Sequence, residues 1–174
     1  MANRHRPLVK ICGITNVPDG RLALRCGADL LGFIMARSPR RVTANRAATL
    51  IRRLRRGPRG RRTIMTGVFM NAPLGWALKA ARAAKLDLVQ LHGEESPEYV
   101  AALAAGGFRV MKVVKRLGRG ALAEMKRFPE SWAFLLEPRR AGPGRSKPKN
   151  PDYSAARAAT RAHPRVGGAG GVSP

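Results

Sequence analysis

The sequence predicts an α/β chain of repeated strand-helix units, a (β/α)8 barrel of which about seven strands are present. Three observations lead there. Short apolar runs alternate regularly with alanine-rich amphipathic stretches, which is the rhythm of βα units. The apolar runs are continuous rather than alternating, so both faces of each strand should be covered, as in a parallel sheet flanked by helices. No G-x-G-x-x-G follows an early strand, so a doubly wound dinucleotide-binding sheet has no support.

The strands are expected at LVKIC (8–12), LLGFIM (30–35), TIMTGVF (63–69), DLVQL (87–91), FRVMKVV (108–114), WAFLLE (132–137) and, more weakly, RVGGA (165–169). Helices are expected between them over 17–25, 44–55, 73–84, 96–105, 119–127 and 153–162. Their starts carry capping residues: Thr43 for the second, Asn71 with Pro73 for the third, Ser96 with Pro97 for the fourth. Gly27, Gly106 and Gly107 stand where helices should stop. The 174 residues, 44% hydrophobic, suffice for one core, so 1–174 reads as a single domain. The segment 137–152, EPRRAGPGRSKPKNPD, is the one long loop.

Composition narrows the function classes. Two cysteines, Cys12 and Cys26, make no disulfide framework, and no Cys/His group has zinc spacing, so no metal site is expected. No window approaches the roughly 18 uncharged apolar residues of a membrane span. A cytoplasmic location and no membrane partner are the expectation. Lys and Arg number 34 against 10 Asp and Glu, a formal charge of +24, which implies a surface that holds polyanions non-specifically at low salt. The densest run, LIRRLRRGPRGRR (50–62), reads first as a solvated helix end and loop. Aromatics are 5% of the chain and none interleaves with that run, so base stacking has little to work with.

In a (β/α)8 barrel the chemistry gathers at the carboxyl ends of the strands. The polar residues there are Cys12 and Gly13 after the first strand, Arg37 and Arg40 after the second, and Asn71 after the third. Gln90 and His92 flank the end of the fourth, Lys115 follows the fifth, Glu137 ends the sixth, and Gly170 and Gly171 follow the seventh. A thiol facing a carboxyl group, with an arginine nearby and a glycine turn for phosphate, suits acid-base chemistry on an anionic sugar phosphate. A cysteine ending a strand is also commonly a small buried hydrophobe, and Cys26 reads as helix-end packing.

The segments VKICGIT (9–15), GADLLGFIMARSPRRVT (27–43), GVFMN (67–71), LVQLHGEESPEYV (88–100), FLLE (134–137) and GGAGGVSP (167–174), in this order and spacing, resemble the phosphoribosylanthranilate isomerases of tryptophan biosynthesis. The resemblance implies a TIM barrel that catalyses an Amadori rearrangement of N-(5-phosphoribosyl)anthranilate to 1-(2-carboxyphenylamino)-1-deoxyribulose 5-phosphate. It implies no metal or organic cofactor. By motif position it makes Cys12 the general base and Glu137 the general acid. Arg40 pairs with the anthranilate carboxylate, Gln90 and His92 line the substrate site, and Gly170 and Gly171 offer backbone N–H groups to the phosphate.

Three departures from the family pattern accompany it. Glu137 stands where the family usually has aspartate. The segment GPGRSKPKNPDY is proline- and lysine-rich where the family has a glycine-rich loop ending in Phe-Asp-Trp. The sequence ends at Pro174, in the turn after the seventh strand, so the expectation is a fragment or truncated product lacking the eighth βα unit. Two other readings stand beside the isomerase: an inactive isomerase-derived basic protein that binds nucleic acid or acidic partners, and another sugar-phosphate barrel such as a histidine-biosynthesis isomerase. The last would use paired aspartates, and Cys12 occupies the first strand end instead.

Overall fold

The computed structural model describes residues 7–116, 119–137 and 159–168. The chain forms two compact units, residues 1–90 and 91–174. Among the described residues no helix is long and apolar enough to cross a membrane.

Unit 1 contains β1 (Lys10–Cys12), α1 (Val17–Arg25), β2 (Leu30–Ile34), α2 (Ala44–Leu54), α3 (Pro58–Arg62), β3 (Ile64–Phe69) and α4 (Leu74–Ala84). β4 (Leu88–Leu91) lies at the boundary between the units. The strands pair in parallel: Cys12 stands opposite Gly32, and Gly32 in turn opposite Thr66. β2, β3 and β4 are buried along almost their whole length, as their continuous apolar runs require.

β1 departs from that expectation. Ile11 and Cys12 are exposed and Lys10 is half-buried. Among the described residues of unit 1 this strand pairs with β2 alone.

The helices follow from their caps and their apolar spacing. Asn16 accepts a hydrogen bond from the Asp19 N–H, Thr43 from the Arg46 N–H, and each hydroxyl or amide so placed satisfies a donor the first helical turn leaves open. α2 buries Ala47, Leu50, Ile51 and Leu54, and α4 buries Ala77, Ala80, Ala81 and Ala84. Both sets have the i, i+3, i+4, i+7 spacing of one helical face, and α2 packs against α4. The cap of α4 differs from the expectation: Pro73 occupies the N-cap, while Asn71 is in the left-handed region with φ 50° in the preceding turn.

α3 was not expected from the arginine-rich run, which read as loop. Pro58 sets its first turn, and Gly60 lies so close to the Leu54 carbonyl that any side chain there would collide with the end of α2. Arg55 donates to both carboxylate oxygens of Asp87, at 2.8 and 2.7 Å, and Asp87 also accepts from the Met65 N–H. Arg59 reaches the Leu24 carbonyl at 3.3 Å. Two of the arginines in the run are therefore structural. Cys26, expected to pack, caps α1 and is exposed.

Unit 2 contains α5 (Pro97–Ala105), β5 (Arg109–Val114), α6 (Arg119–Lys126), β6 (Ala133–Leu136) and β7 (Val166–Gly168). β5 pairs with β6 and β6 with β7, all in parallel. Ser96 caps α5 as expected, accepting from the Tyr99 N–H; its hydroxyl, and then the local backbone, hold the Glu98 carboxyl below the usual range. Of the helix expected over 153–162, residues 159–162 are described and are helical. Residues 138–158 of the long loop and the helix start lie outside the described residues.

Candidate functional site

Unit 1 places Cys12 at the last position of β1 and Arg40 in the segment after β2, and the two meet. Arg40 Nη1 donates to the Cys12 carbonyl oxygen at 3.1 Å, across 28 residues of sequence. The close approach depends on Gly13. Its φ of +93° suits glycine, and a Cβ built there would lie 2.6 Å from Arg40 Nη1 and 2.8 Å from Cζ, so the guanidinium occupies the space a side chain would need. The N–H groups of Gly13 and Ile14 both donate to the Gly32 carbonyl at 2.9 Å, which fixes the turn leaving β1. The main chain of Arg41, its neighbour, forms a parallel bridge with that of Ile34. Of the adjacent pair, Arg40 is the one at the thiol-bearing strand end.

Gln90 is buried on β4 at 3% exposure, and its Oε1 has no hydrogen-bond partner among the described residues. The Thr66 hydroxyl on β3 is fully buried and likewise has no partner among the described residues. A buried polar atom left so is costly unless water or a ligand reaches it.

In unit 2, His92 follows β4 and Glu137 follows β6. His92 Nε2 lies 3.2 Å from Glu137 Oε2, with both side chains about one-third exposed, at 32% and 34%. The Glu137 N–H donates to the Val114 carbonyl at 3.0 Å, which anchors the acid at the strand end. The loop that carries His92 is held from below. Lys112 Nζ, in mid-β5, donates to the Gly93 carbonyl at 2.6 Å and to Glu95 Oε2 at 2.9 Å, while Glu95 Oε1 accepts from the Gly93 N–H at 3.2 Å. The Lys112 and Glu95 side chains are only 3% and 2% exposed.

Sequence reading passed over this pair. The signal was present: a lysine inside an apolar strand with both faces covered requires a buried acid, and the two adjacent glutamates of HGEE were the available candidates. Lys115, the cation after β5, pairs with Glu94 at 3.1 Å and lines a cavity of about 530 Å³ in unit 2 with Gly93, Arg116, Glu124 and Arg127. Gly170 and Gly171 lie outside the described residues. Among the described residues no group of three or more His, Cys, Asp or Glu could hold a metal ion.

Parallel βα units in succession, with a thiol and guanidinium at strand ends of unit 1 and an imidazole and carboxyl group at strand ends of unit 2, have the layout of a (β/α)8-barrel protein. The family model described as N-(5'-phosphoribosyl)anthranilate (PRA) isomerase matches residues 9–174, and the chain belongs to that family. The N-(5'-phosphoribosyl)anthranilate isomerase of Rubrobacter xylanophilus is 42% identical over 135 residues, 77% of this chain and 63% of that protein. Its counterpart in Pelobacter propionicus is 45% identical over 130 residues, 74% of this chain and 58% of that protein. The match thus spans about three fifths of these curated relatives.

Among solved structures, phosphoribosyl anthranilate isomerase from Thermotoga maritima is similar with a TM-score of 0.83 and 28% identity, over 96% of this chain and 78% of that one. The Thermus thermophilus enzyme gives a TM-score of 0.77 and 35% identity, over 97% and 78%. The expected fold class is borne out by these likenesses, with seven strands of the barrel among the described residues.

Proposed function

We propose that the chain is a phosphoribosylanthranilate isomerase of tryptophan biosynthesis, working in the cytoplasm on a single domain's worth of barrel. The family match over residues 9–174 carries the reading. In the proposed reaction Glu137 protonates the furanose ring oxygen, the C1–O bond breaks as the anilino nitrogen supplies its electron pair, and a Schiff base forms. The Cys12 thiolate then removes the C2 proton to give an enolamine. Protonation at C1 and loss of the C2 hydroxyl proton complete the aminoketose, with no atom gained or lost.

Geometry supports the division of labour. Arg40 lies against the main chain of Cys12, so an anthranilate carboxylate paired with its guanidinium sits beside the thiol. His92 holds the Glu137 carboxyl at the end of β6, and the buried amide of Gln90 has an acceptor to offer a substrate hydroxyl. Gly170 and Gly171 would hold the phosphate. The test follows loss of phosphoribosylanthranilate fluorescence in the purified chain. Turnover is expected, and Cys12→Ser is expected to abolish it while unfolding at nearly the same temperature; equal turnover in that variant would remove Cys12 from the role of base.

A second property is favoured by the surface. Arg52, Arg53, Arg56, Arg61 and Arg62 are exposed around the end of α2 and along α3. Non-specific retention of polyanions is expected there, with strong salt dependence. Retention on heparin should fall to lower salt when these five become Ser, with Arg55 and Arg59 left in their structural bonds; unchanged elution would assign it to overall charge rather than to this patch.

A further inference from the structure

The thiol of Cys12 has a neighbour that the proposed chemistry does not use. A Cβ built on Gly32, the residue opposite Cys12 on β2, would lie 2.7 Å from Cys12 Sγ and 3.1 Å from Lys10 Nζ. Thiol and ammonium therefore flank one small notch, which exists because residue 32 has no side chain. Lys10 and Cys12 are two apart on β1 and share a face. The row continues to Thr66, opposite Gly32 on β3, whose fully buried hydroxyl has no partner among the described residues and lies on the same face. No described carboxylate pairs with the Lys10 ammonium.

We propose that Lys10 is a positioning residue for Cys12: its ammonium is the counter-ion of the thiolate across the notch at Gly32, with the Thr66 hydroxyl closing the far side. The inference deepens the proposed function and rests on Cys12 acting as a base in its thiolate form. A thiol is mostly un-ionised at neutral pH unless a positive charge stands near it, and the thiolate alone abstracts a proton or reacts with an alkylating agent. Among the described residues of unit 1, the charged groups shown beside Cys12 are Lys10, across the notch, and Arg40. Arg40 Nη1 is spent on the Cys12 carbonyl and is assigned to the substrate carboxylate, which leaves Lys10 as the cation that shares the Gly32 notch with the sulfur. Gly32 has a packing role in the same device, since any larger residue would press between the two groups.

The test reads the thiol directly and does not require turnover. In a Cys26→Ser background Cys12 is the only thiol, and it is exposed. Iodoacetamide alkylation at pH 7 is expected to slow about ten-fold in Lys10→Met, the loss that removal of one nearby opposite charge implies, and to recover toward the parent rate near pH 10. Lys10→Arg should restore most of the pH 7 rate, and added salt should slow the parent more than Lys10→Met. Gly32→Ala is the second variant, expected to slow alkylation at pH 7 without removing a charge. Parent-like rates and pH profile in folded Lys10→Met would overturn the proposal, as would a slowed rate that Lys10→Arg fails to restore. Isomerase assays of the same proteins separate the two readings: alkylation that depends on Lys10, with turnover that survives Cys12→Ser, would retain the ion pair and remove the base.

Discussion

Replacing Lys112 by Met is expected to cost about 3–5 kcal/mol of stability. The ammonium is almost wholly buried and serves two acceptors, the Gly93 carbonyl at 2.6 Å and Glu95 at 2.9 Å. Met fits the space and supplies neither bond nor charge, so the Glu95 carboxylate would stay in the interior without its cation. A buried charge in that position costs several kcal/mol, against at most about 1 kcal/mol for an exposed pair such as Lys115–Glu94. The comparison also identifies the cause. Lys112→Met combined with Glu95→Leu removes both charges and should recover much of the loss in a urea titration. If the double variant is no more stable than Lys112→Met, the cost lies in the Gly93 contact rather than in the stranded carboxylate. Because Gly93 follows His92, loosening this clamp should also release the imidazole from Glu137.

The fold was legible wherever one local signal was enough. Continuous apolar runs located β2 through β6, and Thr43 and Ser96 cap α2 and α5 as their side chains predict. α3 escaped because its formation is tertiary: PRGRR has the glycine and proline of a loop, and only the fit of Gly60 beneath the Leu54 carbonyl makes a helix of it. The exposure of β1 was hidden for a related reason, since VKICGIT looks like a buried strand and its covering depends on what lies beside it. The site was legible as a set of strand-end residues and opaque as geometry. Cys12 and Arg40 are 28 residues apart, His92 and Glu137 lie on different loops, and only register and turn conformation bring each pair into contact. Lys10 and Lys112 were read as strand residues, although a charge in an apolar run needs an explanation.

Glu137→Gln is expected to lower turnover about 10²- to 10⁴-fold with little change in unfolding temperature, the range that loss of a positioned general acid produces. The amide is nearly isosteric with the carboxyl group and can still meet His92 at the distance that Glu137 does, 3.2 Å. What it lacks is the proton that the proposed mechanism delivers to the ring oxygen. Glu137→Asp separates acidity from reach: the side chain retains a transferable proton but withdraws by one methylene from His92. Misplacement on that scale can itself cost about 100-fold where positioning is tight. Turnover in Glu137→Asp above that of Glu137→Gln would assign the loss in the amide variant to the missing proton. Parallel removal of the imidazole by His92→Ala should lower turnover in the Glu137 protein more than in Glu137→Asp, because only the longer acid leans on it. Near-parental turnover in Glu137→Gln would exclude Glu137 as the acid.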